Sequence, residues 1–278
     1  MIQDIHPHKL ENAFLRDAVP APDDPVFAFR GQEIGLVACG EEITFPRVKY
    51  FPENVNLQFL FTLDGKNCFM LMPGFEVPEG LTYLQVRTLR EDPRSPRHVT
   101  FAAYTALHLA SWYRGNAYCG TCGSRTEPGK TERSLICSGC GRTIYPRINP
   151  AVIVGVINGD QLLHTKYARG RGVSFYALVA GFSEIGETLE ETVEREVFEE
   201  TGLRVKNIRY YKSQPWGIAD DLLAGFYCDV DDSAEVSIDT DELSEAVWIR
   251  REDIVGQPSD ASLTHNMMIT FREGKEPR

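Results

Sequence analysis

A glutamate-rich stretch from Gly181 to Leu203 constrains this chain more than any other part of it. It contains Thr188-Leu-Glu-Glu191, the Ser/Thr-x-x-Glu pattern that begins a helix with a capping box. Gly202 stands where helices commonly end on a glycine. Leu189, Val193 and Val197 recur four residues apart and form one apolar stripe. The stretch therefore predicts a loop followed by an amphipathic helix that ends before Gly202.

The glutamates of this helix are spaced so that their carboxylates crowd together. Glu196, Glu199 and Glu200 are three and four residues apart, and like charges at that spacing destabilise a helix. A cation should offset the repulsion, and hard divalent cations prefer oxygen ligands. We also expect an ion pair between Arg195 and Glu187. The alternative is an acidic helix face that is simply solvated.

Four of the seven cysteines are grouped as Cys119-x2-Cys122 and Cys137-x2-Cys140. Two such pairs in one short segment are typical of a closed, tetrahedral, structural zinc site. A redox-active Cys-x-x-Cys is the competing interpretation. Cys39, Cys68 and Cys228 stand apart, and we expect them to be small buried apolar residues.

Length and charge limit the class of protein. A chain of 278 residues is long enough for two or three units. The net charge of −11 argues against a protein that coats nucleic acid through a broad basic surface. No signal-peptide-like or membrane-spanning apolar run is present in the sequence, so we expect a soluble, cytoplasmic protein without membrane partners.

Alternating apolar runs and turn signals predict the remaining elements. A helix is expected from His98 to Arg114. Predicted strands are Val26–Phe29, Ile34–Ala38, Leu57–Leu63, Cys68–Met72 and Tyr83–Leu89, then Ala151–Ile157, Gln161–Ala168, Phe175–Phe182, Ile208–Ser213, Leu222–Val230 and Ala246–Arg250. A closing helix is expected over Leu263–Phe271. We predict an α+β multidomain protein with a β-rich domain (1–97), a linking helix and zinc ribbon (98–147), and an α/β domain (148–278).

The glutamate-rich stretch resembles the Nudix box, Gly-x5-Glu-x7-Arg-Glu-aliphatic-x-Glu-Glu-x-Gly-aliphatic. Every fixed place of that pattern is filled, by Gly181, Glu187, Arg195, Glu196, Val197, Glu199, Glu200, Gly202 and Leu203. The resemblance implies an α/β/α sandwich for the C-terminal domain. It also implies an enzyme, a diphosphatase that hydrolyses acid anhydrides with a divalent cation.

The same resemblance implies site residues. The expected Mg²⁺ or Mn²⁺ ligands are the Ala180 carbonyl and the carboxylates of Glu196, Glu199 and Glu200, with Glu242 as a further acid from outside the box. Arg195 is expected to belong to the catalytic group. The general base differs among Nudix enzymes, and we favour Glu200.

A four-cysteine ribbon directly before a Nudix domain is similar to the bacterial NADH pyrophosphatase family. Tyr145-Pro-x-x-x-Pro150, Ala180-Gly-Phe182 and Ser213-Gln-Pro-Trp216 carry this likeness, which covers about residues 98 to 272. It implies hydrolysis of NAD(H) to nicotinamide mononucleotide and AMP, and a homodimer. The implied substrate-binding residues are Tyr145, Phe182, Gln214, Pro215, Trp216, Asp221 and Thr264. Core packing is the alternative role for Tyr145 and Phe182.

One segment departs from the family pattern. Where the family continues Pro-Phe-Pro-x-Ser, this chain reads Gly217-Ile-Ala-Asp-Asp221. We expect a more flexible, less aromatic loop and weaker preference for NADH over NAD. Alternative substrates are ADP-ribose, dinucleoside polyphosphates and NAD-capped RNA, which Arg142, Arg147, Arg169 and Arg171 would attract. The other class of function is a non-catalytic, nucleotide-binding regulator. The complete set of box glutamates argues against it.

Overall fold

The computed structural model describes residues 1–74, 77–168, 175–231 and 235–278. Contacts along the chain divide it into two compact units. The N-terminal unit consists of residues 2–148 and 216–220, and the C-terminal unit of residue 1, 149–215 and 221–278. The predicted division at residue 97 stays a prediction. None of the described helices has the length and apolar character needed to cross a membrane.

The N-terminal unit is built on a seven-stranded sheet and one long helix. Its strands are β1 (Leu10–Glu11), β2 (Val26–Arg30), β3 (Glu33–Cys39), β4 (Glu42–Thr44), β5 (Leu57–Leu63), β6 (Lys66–Leu71) and β7 (Thr82–Gln85). They lie in the order β1-β5-β6-β2-β3-β4, and β7 pairs with β3. Helix α1 spans Arg97–Gly115. A three-stranded ribbon follows, with β8 (Thr126–Pro128), β9 (Leu135–Cys137) and β10 (Thr143–Ile144).

The C-terminal unit is a sheet between two helices. Its elements are β11 (Asn149–Asn158), β12 (Gln161–Tyr167), β13 (Val179–Phe182), α2 (Leu189–Thr201), β14 (Lys206–Trp216), β15 (Asp221–Asp229), β16 (Leu243–Arg250) and α3 (Leu263–Arg272). The strand order is β14-β15-β11-β12-β16, with β13 paired to β11. The β11–β15 pair is parallel, and the pairs of β11 with β12 and β13 and of β12 with β16 are antiparallel.

Alternation along β11 explains why both faces of this sheet are covered. Val152, Val154 and Val156 pack in one cluster with Val193 and Val197 of α2. The intervening positions pack in a second cluster with α3, and its members are Ile153, Ile157, Leu263, Met267, Met268 and Phe271. Side chains of successive strand residues point to opposite faces, so one apolar strand serves both cores. The predicted α/β/α sandwich is confirmed.

Two strand predictions were too long. The run from Tyr83 to Leu89 leaves the sheet after Gln85 and forms a 3₁₀ turn, whose apolar residues stay buried without strand pairing. The run from Phe175 to Phe182 is a continuous strand only from Val179. Ala177 bridges to β12, whereas Ala180 pairs with β11, so the ladder breaks where the segment changes partners.

The altered segment after Trp216 packs on α1 within the N-terminal unit. The Trp216 ring meets the Tyr104 ring edge-on, with centroids 5.4 Å apart. A Cβ atom on Gly217 would come within 2.2 Å of the Tyr104 carbonyl oxygen, a distance that real Cβ atoms do not adopt. Gly217 therefore permits close packing against a helix, which differs from the looser loop expected from the sequence.

Candidate active site

The loop and helix of the glutamate-rich stretch form as predicted. The Thr188 hydroxyl accepts a hydrogen bond from the Glu191 N–H, and the Glu191 carboxylate accepts one from the Thr188 N–H. Gly202 ends the helix in the left-handed conformation, with φ of 70°. The capping box satisfies backbone donors that a helix start would otherwise leave exposed, so it fixes where α2 begins.

Arg195 connects the loop, the helix and the end of β13. Its guanidinium donates to both oxygens of Glu187, at 2.6 and 3.0 Å, and to the Phe182 carbonyl at 2.8 Å. It also donates to Glu196 at 2.8 Å and to Glu199 at 3.0 Å. The expected Arg195–Glu187 ion pair is confirmed. Bidentate pairing of this kind fixes orientation as well as charge.

Glu196 sits directly over the backbone of β13. A Cβ atom on Gly181 would lie 1.9 Å from the carboxylate carbon of Glu196, so the carboxylate occupies the space that a side chain would fill. Burial raises the pKa of Glu196, and the Glu199 and Glu242 carboxylates raise it further against the opposing effect of Arg195. Glycine at the first place of the box thus lets a carboxylate lie against the strand that carries the Ala180 carbonyl.

A cavity of about 510 Å³ opens beside this carboxylate within the C-terminal unit. Its lining includes these predicted residues: Ala180, Phe182, Arg195, Glu196, Asp221 and Glu242. Oxygen atoms from a backbone carbonyl and several carboxylates are the donors that Mg²⁺ and Mn²⁺ prefer. The residues present therefore fit a hard divalent cation.

The other two glutamates predicted as metal ligands from the box, Glu199 and Glu200, lie outside that lining. Glu199 has an exposed side chain that bonds to Arg195, whereas Glu200 is only 2% exposed. Among the described residues, the four cysteines alone bring three or more candidate ligand atoms within 4.8 Å of one another. The predicted metal roles of Glu199 and Glu200 stay predictions.

The predicted substrate-binding residues of the C-terminal unit have different surroundings. Phe182 is exposed and lines the cavity, which excludes core packing for its ring. Asp221 also lines the cavity although it is only 6% exposed. Gln214 is fully buried, and its amide bonds to the backbone of Ala261 and Leu263 at the start of α3. Pro215 is exposed, and Thr264 is half-buried in the first turn of α3.

Tyr145 and Trp216 belong to the N-terminal unit. Tyr145 is 57% exposed, so core packing is excluded for it as well, and its hydroxyl donates to Glu132 at 2.8 Å. Trp216 is half-buried between the Tyr104 ring and the Arg90 guanidinium, which lies 5.5 Å from its ring centroid. The exposed ring of Tyr145 is available for stacking, whereas that of Trp216 is partly occupied.

The four ribbon cysteines converge as their spacing predicts, with all sulfur atoms within 4.8 Å of one another. The Thr121 N–H points at the Cys119 sulfur and lowers the pKa of that thiol to about 6. The Arg142 N–H favours the thiolate of Cys140, but the neighbouring Cys137 and Cys122 sulfurs raise the pKa of Cys140 to about 11. Four crowded sulfurs cannot all ionise without a cation, so the donor set fits Zn²⁺.

Two polar residues of the cavity lining, Tyr167 and Glu184, were not predicted from the sequence, and neither were its apolar members Ala151, Val152, Ile153 and Leu223. Glu184 lies inside the variable part of the box, where spacing alone gives it no role. Tyr167 ends β12, and only the three-dimensional pairing of β12 with β16 places it near Glu242. Arg169 and Arg171 lie outside the described residues.

The Arg195–Glu187 pair predicts a specific acid dependence of stability. The guanidinium lowers the pKa of Glu187 to about 2 from its ordinary value of 4.5. As the pH falls below about 4.5, the unfolded state takes up this proton first, so stability is lost progressively between 4.5 and 2. The free energy of unfolding should therefore differ most between the parent and Glu187→Gln at pH 6, and this difference should shrink as the pH falls to 3.5.

Urea unfolding at a series of pH values measures this. Glu190→Gln, on the exposed side of α2, serves as the control and should follow the parent at every pH. A parent–Glu187→Gln difference that stays constant from pH 6 to 3.5 would contradict the assignment.

Two known domain families match this chain. The NUDIX domain matches residues 147–269, and the NADH pyrophosphatase zinc ribbon domain matches residues 114–145. The chain is 41% identical over 162 residues to the NAD-capped RNA hydrolase NudC of Enterobacter sp. (strain 638) and, to the same extent, to that of Escherichia coli O1:K1 / APEC. Each match covers 58% of this chain and 62% of the relative.

A solved structure of a NUDIX hydrolase from Nitrosomonas europaea is 22% identical, with a TM-score of 0.48, and covers 57% of this chain and 91% of that one. The two domain matches meet at the end of the ribbon, as the cysteines and the box glutamates indicate. Residues 147–269 therefore match a NUDIX domain, and they directly follow a segment that matches the NADH pyrophosphatase zinc ribbon domain.

Proposed function

We propose that this protein is a divalent-cation-dependent Nudix diphosphatase that hydrolyses NAD(H) to nicotinamide mononucleotide and AMP. The observation that carries the proposal is the cavity whose lining includes Ala180, Glu196 and Glu242 together with the exposed Phe182. The 41% identity to enzymes named NAD-capped RNA hydrolase supports the choice of an NAD-containing substrate.

The carboxylates of Glu196 and Glu242, with the Ala180 carbonyl, would hold Mg²⁺ or Mn²⁺. Such an ion supplies neutralisation of the diphosphate charge and activation of the attacking water. Arg195 keeps Glu196 in place through its 2.8 Å hydrogen bond. A water oxygen attacks one phosphorus, the bridging P–O bond breaks, and a glutamate takes the water proton. Phe182 offers a face on which a base can stack.

Glu200 is our proposed general base, although its carboxylate does not line the cavity in this structure. Glu200→Gln keeps the shape of the side chain and removes its charge and basicity. If Glu200 accepts the proton, turnover of NADH and NAD should fall by about 10²-fold or more, with a smaller change in KM.

The control is Glu194→Gln, which alters an exposed glutamate of the same helix and should retain parental turnover. Assays with Mn²⁺ or Mg²⁺ should cover NADH, NAD, ADP-ribose and dinucleoside polyphosphates. Near-normal turnover in Glu200→Gln, together with loss in Glu196→Gln, would move the base role to Glu196. Absence of turnover on every diphosphate by the metal-loaded parent would refute the proposed function.

Asp221 supports a preference within this substrate class. Its carboxylate lies on the cavity lining, where the family pattern has a serine. A negative charge there favours the cationic nicotinamide ring of NAD over the neutral ring of NADH. We therefore propose that this protein prefers NADH over NAD less strongly than a protein with the family's Pro-Phe-Pro-x-Ser segment would. Asp221→Ser is a cleaner probe of this than Gly217→Pro, which would collide with the Tyr104 carbonyl.

The second candidate function is removal of NAD from the 5′ end of RNA, which the names of the two relatives favour. Arg142 and Arg147 are the described basic residues that we propose to attract the RNA backbone. Phosphate contacts make binding salt-dependent, whereas a free dinucleotide makes few of them. Turnover efficiency on capped RNA should fall more steeply with salt than that on NAD. A homodimer stays a prediction.

We further propose that Cys119, Cys122, Cys137 and Cys140 hold one structural Zn²⁺. The purified protein should contain about one zinc per chain, because four thiolates complete a tetrahedral site. Cys122→Ser should lower the melting temperature and the zinc content while turnover per folded molecule changes little. Cys39→Ser is the control, because Cys39 lies apart from the cluster and is exposed, so the burial expected for it from the sequence was wrong, whereas Cys68 and Cys228 are buried as expected. Zinc-free protein from an untreated preparation would contradict this.

A further inference from the structure

A second cavity, of about 450 Å³, lies within the N-terminal unit and outside the site described above. The sheet contributes residues from β2, β5 and β6, α1 contributes its last turns, and the ribbon contributes β8 and β9. Its floor is apolar and buried: Ala110 is fully inaccessible, and Met70, Leu135 and Tyr113 are each less than 9% exposed. A concave, mostly apolar cavity of this size suits a small molecule.

The charges on this lining have one sign. Arg114, at the end of α1, and Arg125, just before β8, are both exposed at the cavity. No aspartate or glutamate is among the described lining residues, although the chain as a whole carries a net charge of −11. Among the described residues neither arginine pairs with a carboxylate. Such a lining is complementary to an anion.

Arg114 retains hydrogen-bonding capacity. Two of its nitrogen atoms donate to the Gly31 carbonyl, each at 3.2 Å. A guanidinium carries five N–H donors in a planar fork, so donors remain for a ligand. Burial lowers the pKa of Arg114, but arginine stays charged at any physiological pH.

The polar side chains of the lining restrict the rest of the ligand. The Gln58 amide donates to the Phe59 carbonyl, and the Thr126 hydroxyl donates to the Asn116 carbonyl. These two groups donate within the protein, which leaves Asn56 and the arginines as the other polar side chains of the lining apart from the Tyr113 hydroxyl. Methionine and leucine side chains adapt to flexible aliphatic groups.

We propose that this cavity binds a small amphipathic carboxylate, with its aliphatic body on the floor and its carboxylate at Arg114 and Arg125. The ligand would contact the sheet, α1 and the ribbon together. Since it binds only the folded unit, it should raise the melting temperature of the zinc-loaded protein.

Isothermal titration of the full-length, zinc-loaded protein with decanoate tests the proposal. Decan-1-ol, which has the aliphatic body without the charge, and inorganic phosphate, which has charge without the body, are the comparison probes. We expect one decanoate to bind saturably per chain. Decan-1-ol should bind more weakly, and inorganic phosphate should not bind. Arg114→Gln and Arg125→Gln should each lower the affinity for decanoate by about tenfold or more, because each removes a charged hydrogen-bond donor.

Arg16→Gln, an exposed arginine of the same unit, is the matched control and should bind decanoate as the parent does. Within the described part of the chain, the exposed Arg125 side chain has no counterpart to the Arg114–Gly31 hydrogen bonds, so Arg125→Gln keeps the test valid if Arg114→Gln fails to fold. The proposal is overturned if decanoate does not saturate, if decanol binds equally well, if phosphate binds as tightly, or if Arg125→Gln binds decanoate normally.

Discussion

The interactions of the Arg195 guanidinium are those on which the C-terminal unit of this protein depends most. It holds the loop through Glu187, the strand through the Phe182 carbonyl, and the helix through Glu196 and Glu199. Like-charged glutamates on adjacent helix turns repel one another, and the half-buried guanidinium of Arg195 partly offsets that repulsion. Of these glutamates, Glu196 lines the cavity, where we propose that a divalent cation is its counterion.

Apolar packing of α2 on the sheet holds these charged residues in place. The apolar face of α2 is anchored through Val193 and Val197 on the sheet, which fixes the helix against β11 and β13. On β13, the missing side chain of Gly181 leaves room for the Glu196 carboxylate. The position of the Glu196 carboxylate therefore depends on this glycine, and so does the cation site that we propose.

Local patterns predicted the parts of the structure that depend on neighbours in sequence. The limits of α2, the cysteine cluster and the Arg195–Glu187 pair follow from spacings within a few turns or one short ribbon. The end of β7, the partner change near Ala177 and the burial of Gln214 were not predicted, since each depends on contacts with distant segments. The N-terminal cavity was missed for the same reason, because its lining comes from strands, a helix and a ribbon far apart in sequence.

The central claim is that Gly181 and the box glutamates build a divalent-cation site, and Mn²⁺ binding followed by electron paramagnetic resonance tests it most directly. The parent should bind Mn²⁺, and Gly181→Ala should bind it at least about tenfold more weakly, because the new Cβ displaces the Glu196 carboxylate. Gly115→Ala adds a methyl group where no atom lies within 4 Å and should bind as the parent does. Parental Mn²⁺ affinity in folded Gly181→Ala would contradict the account.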